Sequence, residues 1–545
     1  MTKTTFVKGA IILAFTGVIV RIIGAAMRIV LAALMGDEGI GLYSYAYPIF
    51  ATLLTIATAG IPVAISKLVS EKLALNDPQS AYRVFKIALL IITSTGLLIS
   101  VLLALGAEFF AINVARDPRA YYPILAISPA IFFVAIMAAM RGFFQGHQLM
   151  TPTALSQFVE QIVRVITSVG LVLLLLPISL EYAAAGAASG AVSGGIIGLL
   201  VLVVLFYRQK SGIFSKYNHI SADDDIPKAT EVVKRIVSLS VPITLGSLMV
   251  PFYNVIDLVV VSDRLQEIGF AMERATALYG QLTGMALNLM YFPCVVIVGL
   301  TISLVPAVSE AFAQKNIPLL HNRIETSSRL VILFSLPSAV GLFLLSLPIL
   351  NNTVTVLLYN NAEAAYPVTF LAWGVVFFSL YLATTGTLQG MGYALVPVKN
   401  MLLGALVKIF LTWVLTGIPE LHIGGAALAT SIGFALGAFL NILQVSKLSG
   451  YRFKIREFLF KPILSVLIMS VFVIFSYRLV FMFLEEIFPF SLINGIATIT
   501  CIIVGALIYL ISLLLSGWLN SDDLMSIPYV GERILKWARK YRLMK

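Results

Sequence analysis

The chain has 545 residues, of which 59% are hydrophobic and only 12% charged, with a formal net charge of +11. Its mean hydropathy of +0.98 lies far outside the range of soluble domains, which carry about 25% charged residues. A soluble globular enzyme is excluded, and the length suits roughly a dozen or more membrane spans of about 20 residues each.

The expected class is all-α: a polytopic membrane protein with about 14 transmembrane helices, arranged as two six-helix lobes related by a parallel internal repeat plus two C-terminal helices. Apolar runs broken by charged or Gly/Pro-rich turns place the spans near residues 7–34, 39–69, 84–107, 121–144, 153–176, 183–207, 236–261, 276–309, 329–350, 364–389, 397–416, 423–446, 461–484 and 491–516. The first run is too long for the apolar core of a cleaved signal peptide and carries Arg21 and Arg28 inside it, so it is expected to stay in the mature protein. Gly17, Arg21, Gly24 and Arg28 recur at helical spacing, which puts both guanidinium groups on one face with a glycine between them.

The hairpin of spans four and five, MRGFFQGHQLMTPTALSQFVEQIVRV at 140–165, is unusually polar for so oily a chain. Gln157, Gln161, Arg164 and Ser168 form one stripe of span five, and Glu160 stands four residues before Arg164, the favoured order for an ion pair. That pair is part of a site or else a structural pin, and both readings stay open. His147, in the turn, is expected to be solvated. Glycine-rich runs such as GAASGAVSGG at 186–195 point to close helix packing.

Residues 208–235 are the expected cytoplasmic linker between an N-lobe, 1–207, and a C-lobe, 236–450. Asp257 in span seven, one turn after Asn254, is a weak candidate for a cation site, with a helix-pairing hydrogen bond as the competing reading. Span eleven places Asn400, Gly404 and Lys408 on one stripe; Asn400 is a second weak cation-site candidate and Lys408 a candidate anion contact. Spans thirteen and fourteen fill 451–516, and the tail 517–545 ends in GERILKWARKYRLMK, which has the look of a basic interfacial helix. Cys294 and Cys501 both fall in apolar spans and read as small core residues, and no His/Cys/carboxylate cluster has metal-ligand spacing.

Most of the 37 lysines and arginines fall at the N-terminus, in the even-numbered turns and in the tail, while the odd-numbered turns hold only Arg116, Arg119, Arg264 and Arg274. The positive-inside rule then puts both termini in the cytoplasm of a multi-pass cell-membrane protein. The positive balance is a topology signal and an attraction to anionic membrane lipids; no nucleic-acid partner is expected.

Internal similarity divides the chain. GFFQG at 142–146 matches GTLQG at 386–390, and Arg164 is answered by Lys408 at the same offset. At a slightly shorter offset AGIPVAISKLVSE, 59–71, aligns with VGLTISLVPAVSE, 298–310, and AGAASG, 185–190, with GGAALA, 424–429. Each half holds six spans, so the two share one orientation and relate by an axis along the membrane normal.

Charge at mid-bilayer costs on the order of 3 kcal/mol, so Arg21, Arg28, Glu160, Arg164 and Lys408 facing lipid would cost roughly 15 kcal/mol together, comparable to the stability of a whole domain. They are expected instead to face each other or a water-filled cavity between the halves, whose charge of about +3 suits an anionic ligand.

RGFFQGHQLMTPTALSQFVEQIVRV, with GDEGIGLYSYAYP at 36–48 and GIPVAISKLVSE at 60–71, closely resembles the polysaccharide-biosynthesis branch of the MOP flippase superfamily, and within it the group of stage V sporulation protein B and the Gram-positive MurJ-type lipid II flippases. The resemblance covers residues from about 5 to about 450. It implies a fourteen-helix transporter, not an enzyme, with two six-helix lobes, a V-shaped cavity and two extra helices that form a groove for a long lipid tail. It also implies the substrate, an undecaprenyl-diphosphate-linked peptidoglycan precursor moved from the inner to the outer leaflet, and it maps the family's cationic cavity onto Arg21 and Arg28. Where MurJ-branch members often carry further arginines in spans two and eight, this chain has Thr55, Thr58 and Asn288, which shifts head-group contact toward Arg164 and Lys408. No cofactor is expected; coupling to Na⁺, to protons or to the membrane potential stays open, and a monomer is expected. The alternatives are an exporter of another lipid-linked oligosaccharide, a multidrug cation antiporter of the same superfamily, which the basic excess disfavours, and a membrane glycosyltransferase, which the short outward loops disfavour.

Overall fold

The computed structural model describes residues 3–58, 60–75, 77–215, 229–351 and 361–519, together with Lys536. The expected linker therefore lies partly, and the basic tail almost wholly, outside the described residues. Every regular element among the described residues is helical. The chain forms two compact units, Met1–Gly280 and Gln281–Lys545.

The first unit comprises α1 (Lys3–Thr58), α2 (Ile61–Ala74), α3 (Pro78–Leu105), the one-turn α4 (Ala107–Phe109), α5 (Tyr121–Ile127), α6 (Pro129–Gly146), α7 (Met150–Leu175), α8 (Leu180–Ser215), α9 (Ala229–Ser247), α10 (Met249–Glu267) and α11 (Met272–Tyr279). The second comprises α12 (Leu287–Ala313), α13 (Ile317–Leu350), α14 (Ala365–Gly390), α15 (Leu395–Thr416), α16 (His422–Ser449), α17 (Ile455–Leu484) and α18 (Phe490–Leu515). Starts and stops follow local chemistry. Asp77 caps α3 by accepting the Ser80 amide at 2.9 Å, with Pro78 supplying a first-turn residue that needs no partner. Gly450, at φ 72°, takes the left-handed conformation that ends α16.

Twelve helices among the described residues are long and apolar enough to cross a membrane, thirteen if α9 and α10, bent by 49° at their junction, form one span. One run, Phe15–Ala74, is 60 residues long, about 90 Å of helix against a hydrocarbon core of about 30 Å. It breaks at Gly36, whose φ of 69° and ψ of −173° are non-helical and favour glycine. Counted as two crossings, it brings the total to the fourteen that hydropathy indicates. Span eight, Met272–Ala313, carries a π-helical stretch at Gly280–Ala286 that no apolar periodicity signals.

The sequence repeat reappears as repeated packing. A β-carbon at Gly142 would lie 2.7 Å from the Pro62 carbonyl, and one at Gly146 would lie 3.1 Å from the Ser66 carbonyl and 2.8 Å from Val69. In the second unit Gly386 stands in the same relation to Thr301 (2.6 Å) and Gly390 to the Val305 carbonyl (2.8 Å) and Val308 (2.9 Å). Thr301, Val305 and Val308 are the residues that align with Pro62, Ser66 and Val69. Gly186 against Leu171 is matched in the same way by Gly425 against Leu415. The paired glycines let α6 approach α2, and α14 approach α12, to near backbone contact.

α9 and α10 follow the linker and so belong by sequence to the second repeat, yet they pack within the first unit. Gly60 allows this: its amide donates to Thr244 Oγ1 at 3.1 Å, and a β-carbon there would fall 2.1 Å from the Ser240 carbonyl. In the second unit α17 and α18 dock on α13, where Asn494 Nδ2 donates to the carbonyls of Pro348 (3.0 Å) and Asn351 (2.7 Å) and Arg329 Nη1 to that of Trp518 (2.9 Å).

Candidate functional site

The break at Gly36 makes the site. In an unbroken helix Arg28 and Tyr47 would stand about 28 Å apart; in the folded chain the Arg28 guanidinium lies 4.5 Å from the centroid of the Tyr47 ring. Arg164, from α7, lies 5.8 Å from the same ring. One phenol ring thus lies within cation–π range of two guanidinium groups from different helices. Tyr43, one turn before Tyr47, and Glu160 act electrostatically on Arg164 from nearby.

Gly24 sits where α1 faces α7, since a β-carbon there would meet Gln161 Nε2 at 3.3 Å. The stripe of span five is therefore turned inward: Gln161 is buried, and Ser168 Oγ donates to the Ala187 carbonyl at 2.7 Å. Arg21, two turns from Arg28, is exposed and is not brought to Tyr47.

Glu160 takes its ion pair from Arg141 at the end of α6, with Nη2 to Oε2 at 2.7 Å, rather than from Arg164. Arg141 Nε also donates to Ser156 Oγ at 3.0 Å. The polarity of the 140–165 hairpin thus divides into an ion pair that joins α6 to α7 and, one helical turn further along α7, a cation beside an aromatic ring. Arg164 makes no ion pair with a carboxylate among the described residues. His147 is half-buried rather than solvated: its ring packs 4.3 Å from that of Phe143, and burial holds its pKa below the usual imidazole value, against the opposing pull of a bond to the Phe143 carbonyl.

The segment bearing Tyr47 is fixed by a network that loop charges alone did not reveal. Asp117, wholly buried, accepts from Arg119 at 2.8 Å and from Thr276 Oγ1 at 2.7 Å, while Arg119 also reaches Glu38 at 2.6 Å. Tyr45 OH bonds Ser262 Oγ at 2.8 Å, and Arg116 pairs with Asp263 at 2.9 Å.

Of the remaining candidates, Asp257 belongs to the first unit and Asn400 and Lys408 to the second. Asp257 is wholly enclosed on α10 within the first unit, beside the equally enclosed Tyr253. Lys408, in the second unit, is 0% exposed. Asn400 donates to Asn441 Oδ1 at 2.8 Å, and Asn441 to Thr385 Oγ1 at 3.1 Å, a hydrogen-bonded chain joining α14, α15 and α16. No group of three His, Cys, Asp or Glu side chains among the described residues is placed to hold a metal ion. Tyr47 and Arg141 are the residues that sequence reasoning passed over. The signals were the i, i+4 tyrosines of GLYSYAYP and the placement of Arg141 and Glu160 on the two helices of one hairpin.

Residues 6–312 match a protein family described as polysaccharide biosynthesis protein. Stage V sporulation protein B of Bacillus subtilis (strain 168) is 34% identical over 539 residues, 98% of this chain and 100% of its own. Lipid II flippase MurJ of the same organism is 27% identical over 470 residues, 83% of this chain and 85% of its own. Among solved structures, lipid II flippase MurJ in an inward closed conformation superposes with a TM-score of 0.65 at 17% identity, covering 92% of this chain and 98% of the other. An inward-facing MATE-family multidrug transporter of the MOP superfamily gives 0.64 at 14%, covering 79% and 98%.

Proposed function

The chain belongs to the polysaccharide biosynthesis protein family, and on that premise we propose that it is a flippase carrying an undecaprenyl-diphosphate-linked peptidoglycan precursor, lipid II, from the inner to the outer leaflet by alternating access. More coarsely, it is a multi-pass membrane transporter of the MOP superfamily and not an enzyme.

The observation that carries the finer reading is the Arg28–Tyr47–Arg164 cluster. Each cation within the membrane region costs on the order of 3 kcal/mol unless it meets an anion or water, and two of them converge on one ring with Glu160 already engaged by Arg141. A diphosphate fits: arginine forks give paired, charge-assisted hydrogen bonds to phosphate oxygens that a lysine cannot reproduce. The same polarity disfavours a cationic drug as cargo. One relative, a lipid II flippase, supplies the lipid-linked form of that anion, and the sporulation relative supplies a setting in spore formation. In this reading Arg28 and Arg164 hold the head group, Arg21 attracts it from the exposed face of α1, and both termini are cytoplasmic. The substrate and membrane lipids are the partners, and the coupling ion is unassigned.

The test is a leaflet assay of labelled lipid II in cells depleted of the protein. Retention of the label in the inner leaflet is expected; unchanged delivery to the outer leaflet, with no second flippase present, would remove the proposal.

A further inference from the structure

Arg164 and Glu160 stand four residues apart on α7, in the order that favours an ion pair within one helix. Left alone, they would neutralise each other. The structure instead supplies a second cation from the neighbouring helix. Arg141, on the penultimate turn of α6, binds Glu160 Oε2 with Nη2 at 2.7 Å and is held by a second bond from Nε to Ser156 Oγ at 3.0 Å. Ser156 is itself wholly buried and donates onward to the Thr153 carbonyl at 2.9 Å. α8 closes over the arrangement: a β-carbon at Gly194 would fall 2.7 Å from the Glu160 carbonyl and 3.2 Å from Arg164 Cβ, and one at Gly198 would fall 3.1 Å from Glu160 Cβ.

We infer that Arg141 is a positioning residue for the anion site: by engaging Glu160 it keeps that carboxylate from pairing with Arg164, so that the Arg164 guanidinium stays available for the second phosphate of a diphosphate whose first is held by Arg28. This rests on the diphosphate reading above and adds to it a specificity-determining residue that never touches the ligand. The second repeat provides an internal contrast. The positions aligned with Arg141, Ser156 and Glu160 are Thr385, Asn400 and Gly404; with no acid in the stripe there, no second arginine is needed to restrain one.

The test uses the full-length protein in nanodiscs, titrated with undecaprenyl diphosphate and, separately, undecaprenyl monophosphate, with binding read by native mass spectrometry. Arg141→Gln is expected to weaken the diphosphate about tenfold, because Glu160 then turns to Arg164; the monophosphate should change less. Arg141→Gln/Glu160→Gln, which removes the competing acid, should return the diphosphate to within about threefold of the starting protein. Glu160→Gln alone should bind as well as the starting protein or better. Should Arg141→Gln fail to yield folded protein, Glu160→Gln carries the test by itself, since a purely structural pair predicts weakened binding and a lower melting temperature there. A double variant as weak as Arg141→Gln at equal melting temperature overturns the inference. Undiminished diphosphate binding by Arg28→Ala would instead remove the diphosphate reading, and the inference with it, whatever the Glu160 variants do.

Discussion

The α6–α7 hairpin and its repeat partner α14–α15 share a backbone plan and differ in chemistry. In both, paired glycines bring the first helix against an earlier one, Gly142 on Pro62 and Gly386 on Thr301. Upon that common packing the first repeat places an ion pair, Arg141–Glu160, and beyond it Arg164 against Tyr47. The second repeat places a neutral amide chain, Thr385–Asn441–Asn400, and beyond it an enclosed Lys408. Small residues set the frame in each half, so frame and chemistry are separable: one hairpin is specialised for charge, the other for helix cohesion.

The largest effect should come from breaking what the two share. Gly142→Val and Gly386→Val each drive a side chain into atoms already within about 3 Å of the new β-carbon, and overpacking of this kind costs about 1 to 3 kcal/mol, the more where the wall is backbone. Gly142, which faces a backbone carbonyl, should lose more folded protein than Gly386, which faces the Thr301 methyl. Fluorescence-detected size exclusion of the two variants checks the order; equal, normal yields would mean that the close approach is not needed.

A smaller effect separates the amide chain from the ion pair. Asn400→Ala strips a partner from buried Asn441 and should lower stability by about 1 to 3 kcal/mol, whereas Asn400→Leu/Asn441→Leu, which removes both polar groups, should lie close to neutral. Thermal melting in detergent distinguishes them, and a double variant less stable than the single would show that the chain does more than join helices.

Least of all, His147 should give the first hairpin a slight acid sensitivity. Its folded pKa is held below the unfolded value by burial, so the neutral ring is the stabilising form. That contribution is complete above the unfolded pKa of about 6.5 and is lost as pH falls below it through the folded value. His147→Gln should flatten the melting temperature between about pH 7 and pH 5, and an unchanged slope would assign the acid sensitivity elsewhere.

Much of the frame was legible in the residues. Apolar run length fixed the number of crossings, and the glycine pairs of GFFQG and GTLQG announced the repeat because close helix approach admits few other side chains. What stayed hidden depended on geometry that no periodicity carries. The fold-back at Gly36 brings Tyr47 to Arg28, and hairpin closure across the Met150 turn brings Arg141 to Glu160, ahead of the local i, i+4 partner that helix spacing favours. The π-helical stretch at Gly280–Ala286 leaves the apolar pattern of span eight intact, and the packing of α9 against α2 depends on a bare backbone at Gly60.

The most direct test is flipping of fluorescent lipid II by protein reconstituted at matched density, with Arg28→Ala and Arg164→Ala from the first repeat set against Lys408→Met from the second. Loss of a contact to a charged group costs roughly 1.5 to 3 kcal/mol, about ten- to more than hundredfold in affinity. The first two variants should therefore flip little or nothing, while Lys408→Met, whose parent side chain is enclosed, should retain transport. Normal flipping by both Arg28→Ala and Arg164→Ala, or a loss confined to Lys408→Met, would contradict the assignment of the anion site to the first repeat.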